Sequence, residues 1–363
     1  MKINFTVVNI EGYGGIKTLS KIAKGLSEKG HQITVLVVDK QPPVFDWGKN
    51  TKIIYSRSIL NSFKRKSILA LNKIYGFYNA PYRFYSEKED LIKAMPNCDI
   101  NLAAHVGAVF AVFESKKGIP VQYLQHYESL IFDDSNWFMK EKFFESLSLP
   151  VHRIVNSSWL QKKLKQHNID APIIYPGIDQ SIFYPRNNKQ NSKLRIVTFA
   201  KQLKWKGFRD VLEAVKIIKS KYPKIELVAY GAKKVRIKNS PIDFRFCTNL
   251  SDDQLAELYS SATVCVFGSW YESFPGPPFE AMACGAPVVT TSIGVEDYAK
   301  DNFNCLIVPP QNPEKMAEAI SRLIEDKNLR ERISANGPES ISCFKWEETI
   351  NKFEALFKKL LVN

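Results

Sequence analysis

Two hydrophobic rhythms run along this chain, a period of two and a helical period of 3.6. Residues 2–10 alternate and then run apolar, as a strand buried in a parallel sheet does. A glycine-bearing turn follows at Glu11-Gly-Tyr-Gly-Gly15, then an amphipathic stretch near 17–28 closed by Gly30, then an apolar run over 31–38. Strand, turn, helix and strand in that order predict a βαβ unit, hence a parallel sheet with a right-handed crossover. Strand-length apolar segments recur at 100–104, 120–124 and 152–156, spaced by helix-length stretches. The polar run 184–193 has almost nothing to bury and reads as an inter-domain linker. The pattern then restarts: strand 194–200, helix 209–220, strand 225–230, helix 252–261 and strand 263–268. A short helix after a proline-rich turn, strand 287–291 and helix 313–326 complete it. Over 346–361, Ile350, Phe353, Leu356, Phe357 and Leu360 keep helical spacing. The prediction is an α/β protein of two doubly wound, Rossmann-like domains, 1–183 and 194–345. Their facing cleft, beyond the carboxyl ends of the strands, is the expected site.

Composition narrows the class. The length of 363 residues suits two ordinary domains, and 45% hydrophobic with 24% charged residues describes a globular chain. No apolar stretch approaches a membrane span, and the first ten residues lack the pattern of a signal peptide. Six scattered cysteines without a CxxC pair point to a reducing compartment, so the expected location is cytoplasmic. The net charge of +14 attracts nucleic acid, anionic lipid or phosphorylated small molecules, and a lysine-rich solubilising surface accounts for it equally well. Residues 62–85 pair the basic Lys64-Arg-Lys66 with apolar and aromatic positions. They suit either an anionic membrane surface or a helix packed on the first sheet.

The chemistry concentrates after two strands of the second half. In Tyr271-Glu-Ser-Phe-Pro-Gly-Pro-Pro-Phe-Glu280, two carboxylates flank a proline-glycine turn at a helix start. Proline suits a first helical turn, Gly276 lets backbone approach a ligand, and a helix N-terminus favours a diphosphate. Glu280, about one turn into the helix, is placed to accept hydrogen bonds from a ribose diol, and Glu272 from a second sugar. An ordinary helix with one acidic residue near its N-terminus explains a single glutamate, not the pair. Lys201, Lys204 and Lys206 follow the first strand of the same half, where ammonium groups can neutralise a departing diphosphate; Lys204 reads as solvated. Gly14 and Gly15 belong to a glycine turn that does not complete GxGxxG, since Lys17 takes the third glycine's place. Gly14 and Gly15 then serve either a tight βα turn or a close approach of backbone to a ligand. His126 follows an apolar strand at a functional edge. No His, Cys, Asp and Glu cluster has metal-ligand spacing; Asp133-Asp134 and Asp252-Asp253 read as loop and cap residues.

Together these residues resemble the retaining glycosyltransferases of family 4, which have the GT-B fold. The E-x7-E pattern is met by Glu272 and Glu280. The Gly-Ile-Asp-x3-Phe-x-Pro motif is met by Gly177 to Pro185, and the phosphate motif by Ala200-Lys201 to Lys206-Gly207. Gly14-Gly15 matches the amino-terminal glycine loop, and Phe344-Lys-Trp resembles the family's Phe-Ser-Trp. The resemblance implies a nucleotide-sugar donor and a glycan or lipid-linked acceptor, with no nucleic acid partner. It assigns Glu280 to the ribose, Lys201 and Lys206 to the diphosphate, and Glu272 to the donor sugar. Ser273, Phe274 and Gly276 lie in the donor loop, and His126 near the transferred sugar. It further implies retention of configuration, no metal or other cofactor, a C-terminal helix 346–363 that returns to the acceptor-side domain 1–183, and work at the inner membrane face as a peripheral protein. Three departures stand out: Lys201 replaces the usual arginine, Ala200 a glycine, and Phe-Pro-Gly at 274–276 the usual Phe-Gly-x. Other readings are a nucleotide-sugar epimerase of the same architecture, an NAD-dependent oxidoreductase using the first βαβ unit with Asp39 on the ribose, and a non-catalytic basic binding protein.

Overall fold

The computed structural model describes residues 1–8, 10, 14–57, 80–132, 134–186, 194–237 and 239–362. Gly12, most of the basic segment 62–85 (62–79), Asp133 and residues 187–193 of the expected linker lie outside them.

The chain divides into two units, Met1–Pro176 with Trp346–Asn363, and Gly177–Lys345. The first crossing therefore falls at Pro176, not in the polar run 184–193, and correspondingly the first unit does not extend to 183. Packing explains the difference. Ile178 and Phe183 are buried in the second unit's core, and Arg186 pairs with Asp253 and Glu257. A polar tract marks where little is buried, which differs from where the chain changes partner.

In the first unit, β1 (Lys2–Val7), β2 (Gln32–Val37), β3 (Thr51–Tyr55), β4 (Ile100–Ala103), β5 (Ile119–Leu124) and β6 (His152–Val155) make one parallel sheet. Its order is β3-β2-β1-β4-β5-β6. Alternate residues serve opposite faces. Phe5, Val35 and Leu102 meet α1 (Gly14–Glu28) and the C-terminal helix (Trp346–Val362), whose Phe353 and Phe357 are fully buried. Leu36, Ala103 and Leu124 meet α2 (Ala80–Ala94), α3 (Val106–Ser115), α4 (Trp137–Leu147) and α5 (Ser158–Lys165).

The second unit repeats the plan with β7 (Arg195–Phe199), β8 (Glu226–Gly231), β9 (Arg245–Thr248), β10 (Val264–Phe267), β11 (Val288–Thr291) and β12 (Leu306–Val308). Their order is β12-β11-β10-β7-β8-β9. Val264 and Val266 face α6 (Phe208–Lys219), while Cys265 and Phe267 face α7 (Asp252–Ser260) and α8 (Gly276–Ala283). The helices α9 (Pro313–Glu325) and α10 (Lys327–Ile341) complete the unit.

Both sheets wind outward in two directions from their centre. The order in which strands are added reverses between the parallel neighbours β1 and β4, and again between β7 and β10. Those are the topological switch points, where loops diverge and leave a crevice beyond the carboxyl ends. Among the described residues no helix is long and apolar enough to cross a membrane. All six cysteines are free thiols.

Candidate active site

The loops after β7 and β10 flank the second unit's switch point and are welded to each other. The Trp270 N–H donates to the Trp205 carbonyl at 2.7 Å. Gly207 sits at φ 63°, and a Cβ there would come 1.7 Å from the Gly268 oxygen, so only glycine lets the backbones touch. The Trp205 and Tyr271 rings stack at 5.2 Å, and Trp270 Nε1 donates to Asp210 Oδ2 at 2.6 Å, in the first turn of α6.

This weld brings Lys206 onto Glu272. The ammonium pairs with Oε1, and Ser269 Oγ donates to the same oxygen at 3.0 Å. Lys206 Nζ also lies 4.3 Å from the Trp205 ring centre, a cation–π contact. From below, Gly294 at φ 87° lets a third loop close on Glu272: a Cβ would lie 2.4 Å from the Glu272 carbonyl oxygen. Lys206, Glu272, Ser269, Phe199, Pro275 and Thr291 are among the lining of an open pocket at this edge of the sheet. Lys201 is coupled to the same pair. Burial, then the Lys206 cation, pushes its ammonium pKa down to about 8, with Glu272 opposing.

The helix start differs from the expectation of an amide-rich anion site. Of the four positions from the cap inward, Pro275, Pro277 and Pro278 have no N–H; Gly276 alone keeps one. The prolines set where α8 begins but strip its end of donors. Tyr298 Oη anchors the Pro275 carbonyl at 2.9 Å, and a Cβ on Gly276 would meet nothing within 4 Å. At the far end, Gly285 at φ 68° packs on Pro185. The Gly177–Pro185 motif thus braces the site helix rather than reaching the pocket. Its Asp179 carboxylate accepts from the Ser181 hydroxyl at 2.6 Å.

The remaining donor-side residues divide. Ser273 is fully buried, and Phe274 packs on Phe279, Tyr298 and Phe344. Glu280 is half-buried, does not line the pocket, and accepts from Tyr259 Oη at 3.3 Å. In the first unit, Gly14 and Gly15 open α1 as helical residues rather than forming a turn, with Gly15 against the Gln125 side chain. His126 is half-buried just beyond β5. Close by, buried Glu128 accepts the Val106 N–H with both oxygens, at 3.0 and 3.3 Å, holding the start of α3. Burial pushes its carboxyl pKa up to about 8, and lowers that of His105 beside it. The sequence reading passed over Glu128, Trp205, Ser269 and Gly294. Gly268, at the end of β10, and Gly207, just before α6, were visible as glycines, but that they face each other follows only from strand order. Among the described residues no three His, Cys, Asp or Glu side chains gather as a metal-binding group.

Two sheets of this winding, with a charged pocket at the second switch point, define a GT-B protein. Comparison with known proteins agrees and adds the reaction class. Residues 180–340 match the family Glycosyl transferases group 1. An uncharacterised glycosyltransferase of Methanocaldococcus jannaschii is 27% identical over 263 residues, covering 70% of this chain and 72% of that protein. Sucrose-phosphate synthase of Thermosynechococcus elongatus superposes with a TM-score of 0.81 at 17% identity, covering 99% of each chain. HepE of Anabaena, solved in complex with UDP-glucose, gives 0.73 at 16% identity, covering 99% of this chain and 100% of its own. The chain is an enzyme, a glycosyltransferase. The oxidoreductase reading finds no support among these relatives.

Proposed function

We propose that this enzyme moves a sugar from a nucleotide-sugar donor, held by the second unit, to a glycan or lipid-linked acceptor, with retention of configuration and without a bound metal. The observation that carries the reading is the Lys206–Glu272 pair in the pocket at the β7/β10 switch point. A nucleoside diphosphate is a leaving group whose charge must be met as the glycosidic bond breaks. Lys206 and Lys201 supply two cations there, and Gly276 one amide. Glu272 then accepts from hydroxyls of the transferred sugar, which places its C1 beside the diphosphate. Glu280 accepts from the ribose. On the first unit we assign His126 to the transferred sugar. No covalent nucleophile is assigned.

The GT-B neighbour with bound UDP-glucose makes UDP-sugars the first donors to try. Peripheral attachment to an anionic membrane face, through the basic segment 62–85, goes with a lipid-linked acceptor and a cytoplasmic location. The test is a screen of UDP-, GDP- and dTDP-sugars for turnover. One class should be cleaved with an unchanged anomeric configuration by NMR, and cleavage should survive EDTA. No recognition of any donor at millimolar concentration would overturn the reading, and an inverted product or EDTA-sensitive turnover would remove that part of it.

A further inference from the structure

Glu280 stands at the end of a chain of buried hydroxyls that the reaction scheme does not use. Tyr230, on β8, and Tyr259, on α7, are 7% and 0% exposed, and their hydroxyls share a short hydrogen bond. Tyr259 Oη lies 3.3 Å from Glu280 Oε2. A carboxylate only accepts, so Tyr259 spends its one proton on Glu280 and must accept from Tyr230. The chain is therefore directional, from Tyr230 to Tyr259 to Glu280. Two phenolic hydroxyls with no such partners would be costly to bury. The rings are locked as well: Tyr230 and Tyr259 meet edge-to-face at 5.7 Å, Phe199 packs on Tyr230 at 5.6 Å, and Phe267 on Tyr259 at 6.5 Å. Phe199 and Phe267 also line the pocket that holds Lys206 and Glu272.

We propose that Tyr259, backed by Tyr230, is a positioning residue that holds the Glu280 carboxylate in the rotamer that reads the donor's ribose. This rests on the assignment of Glu280 to the ribose. A half-buried carboxylate on a short helix still has rotamer freedom to lose on binding; the tyrosine pair removes it beforehand, and one oxygen is oriented by protein rather than by water.

The experiment measures binding of UDP and 2′-deoxy-UDP, or the corresponding pair for whichever base the donor screen selects, to wild type, Tyr259→Phe, Tyr230→Phe and Glu280→Gln. Thermal unfolding serves as a folding check. Tyr259→Phe should weaken UDP about tenfold while changing the deoxy ligand less than twofold, with Tyr230→Phe showing a smaller effect of the same kind. In turnover, Tyr259→Phe should raise the donor KM and leave kcat nearly unchanged. Equal losses for both ligands would mean a general structural role and overturn the proposal. If Glu280→Gln discriminates against the ribose and Tyr259→Phe does not, the positioning role fails while the ribose assignment stands. If Glu280→Gln leaves both ligands untouched, the ribose assignment fails, and the positioning role with it.

Discussion

At the scale of single residues, Lys201 matters most. A lysine is a titratable point charge where arginine would be a permanent fork. With its pKa pushed down to about 8, Lys201 is charged at neutral pH and loses its proton as pH rises through that value. Affinity for a nucleoside diphosphate should therefore fall from neutral to alkaline pH, and Lys201→Arg should flatten the fall; an unchanged profile in that variant would exonerate Lys201. Gly276 gives a second prediction. Its surroundings accept a Cβ, so Gly276→Ala should melt like wild type, yet it fills the space nearest the one helix-end amide and should weaken the donor several-fold. The carboxylates and lysines were legible in the sequence because their types and spacing carry chemistry. That the Ser273 side chain is buried and Phe274 packs on aromatic neighbours was not legible, because a motif does not say which of its side chains turn inward.

Among elements, the loops are defined by their glycines. Gly207→Ala would force a Cβ into the Gly268 carbonyl, moving the Lys206 loop off Glu272. Activity should fall at least a hundredfold with a lowered melting temperature, and a wild-type rate would refute the weld. Within the first unit, Glu128 holds the start of α3 at a cost. Its carboxyl pKa is raised in the folded state, so the stability it contributes is full below its unfolded value and declines as pH rises through about 8. Glu128→Gln, which keeps the acceptor but cannot ionise, should gain about 1–3 kcal/mol at neutral pH and lose that slope in urea titrations. Predicted strands matched where both faces are covered. The strands missed, β3, β9 and β12, are all sheet edges, with shorter or more exposed patterns. The helix α10 was hidden by Gly337 and Pro338, though Gly337 is what lets it rest on the Met282 carbonyl of the site helix.

Taken whole, the molecule is one plan used twice, and the chain's period-two and helical rhythms were enough to read it. Where the chain crosses between units was not readable, because Ile178 and Phe183 look like any apolar pair until their core is seen. The C-terminal helix belongs to the first unit through Phe353, which meets Tyr123 edge-to-face at 5.1 Å. Phe353→Ala should cost that unit about 3–5 kcal/mol in denaturant unfolding. The claim on which everything else depends is that the pocket of Lys206 and Glu272 holds the donor's diphosphate. Calorimetric titration of a nucleoside diphosphate into wild type and Lys206→Ala, side by side, tests it most directly. The account predicts saturable binding to wild type and affinity at least tenfold weaker in the variant; equal affinities would contradict it.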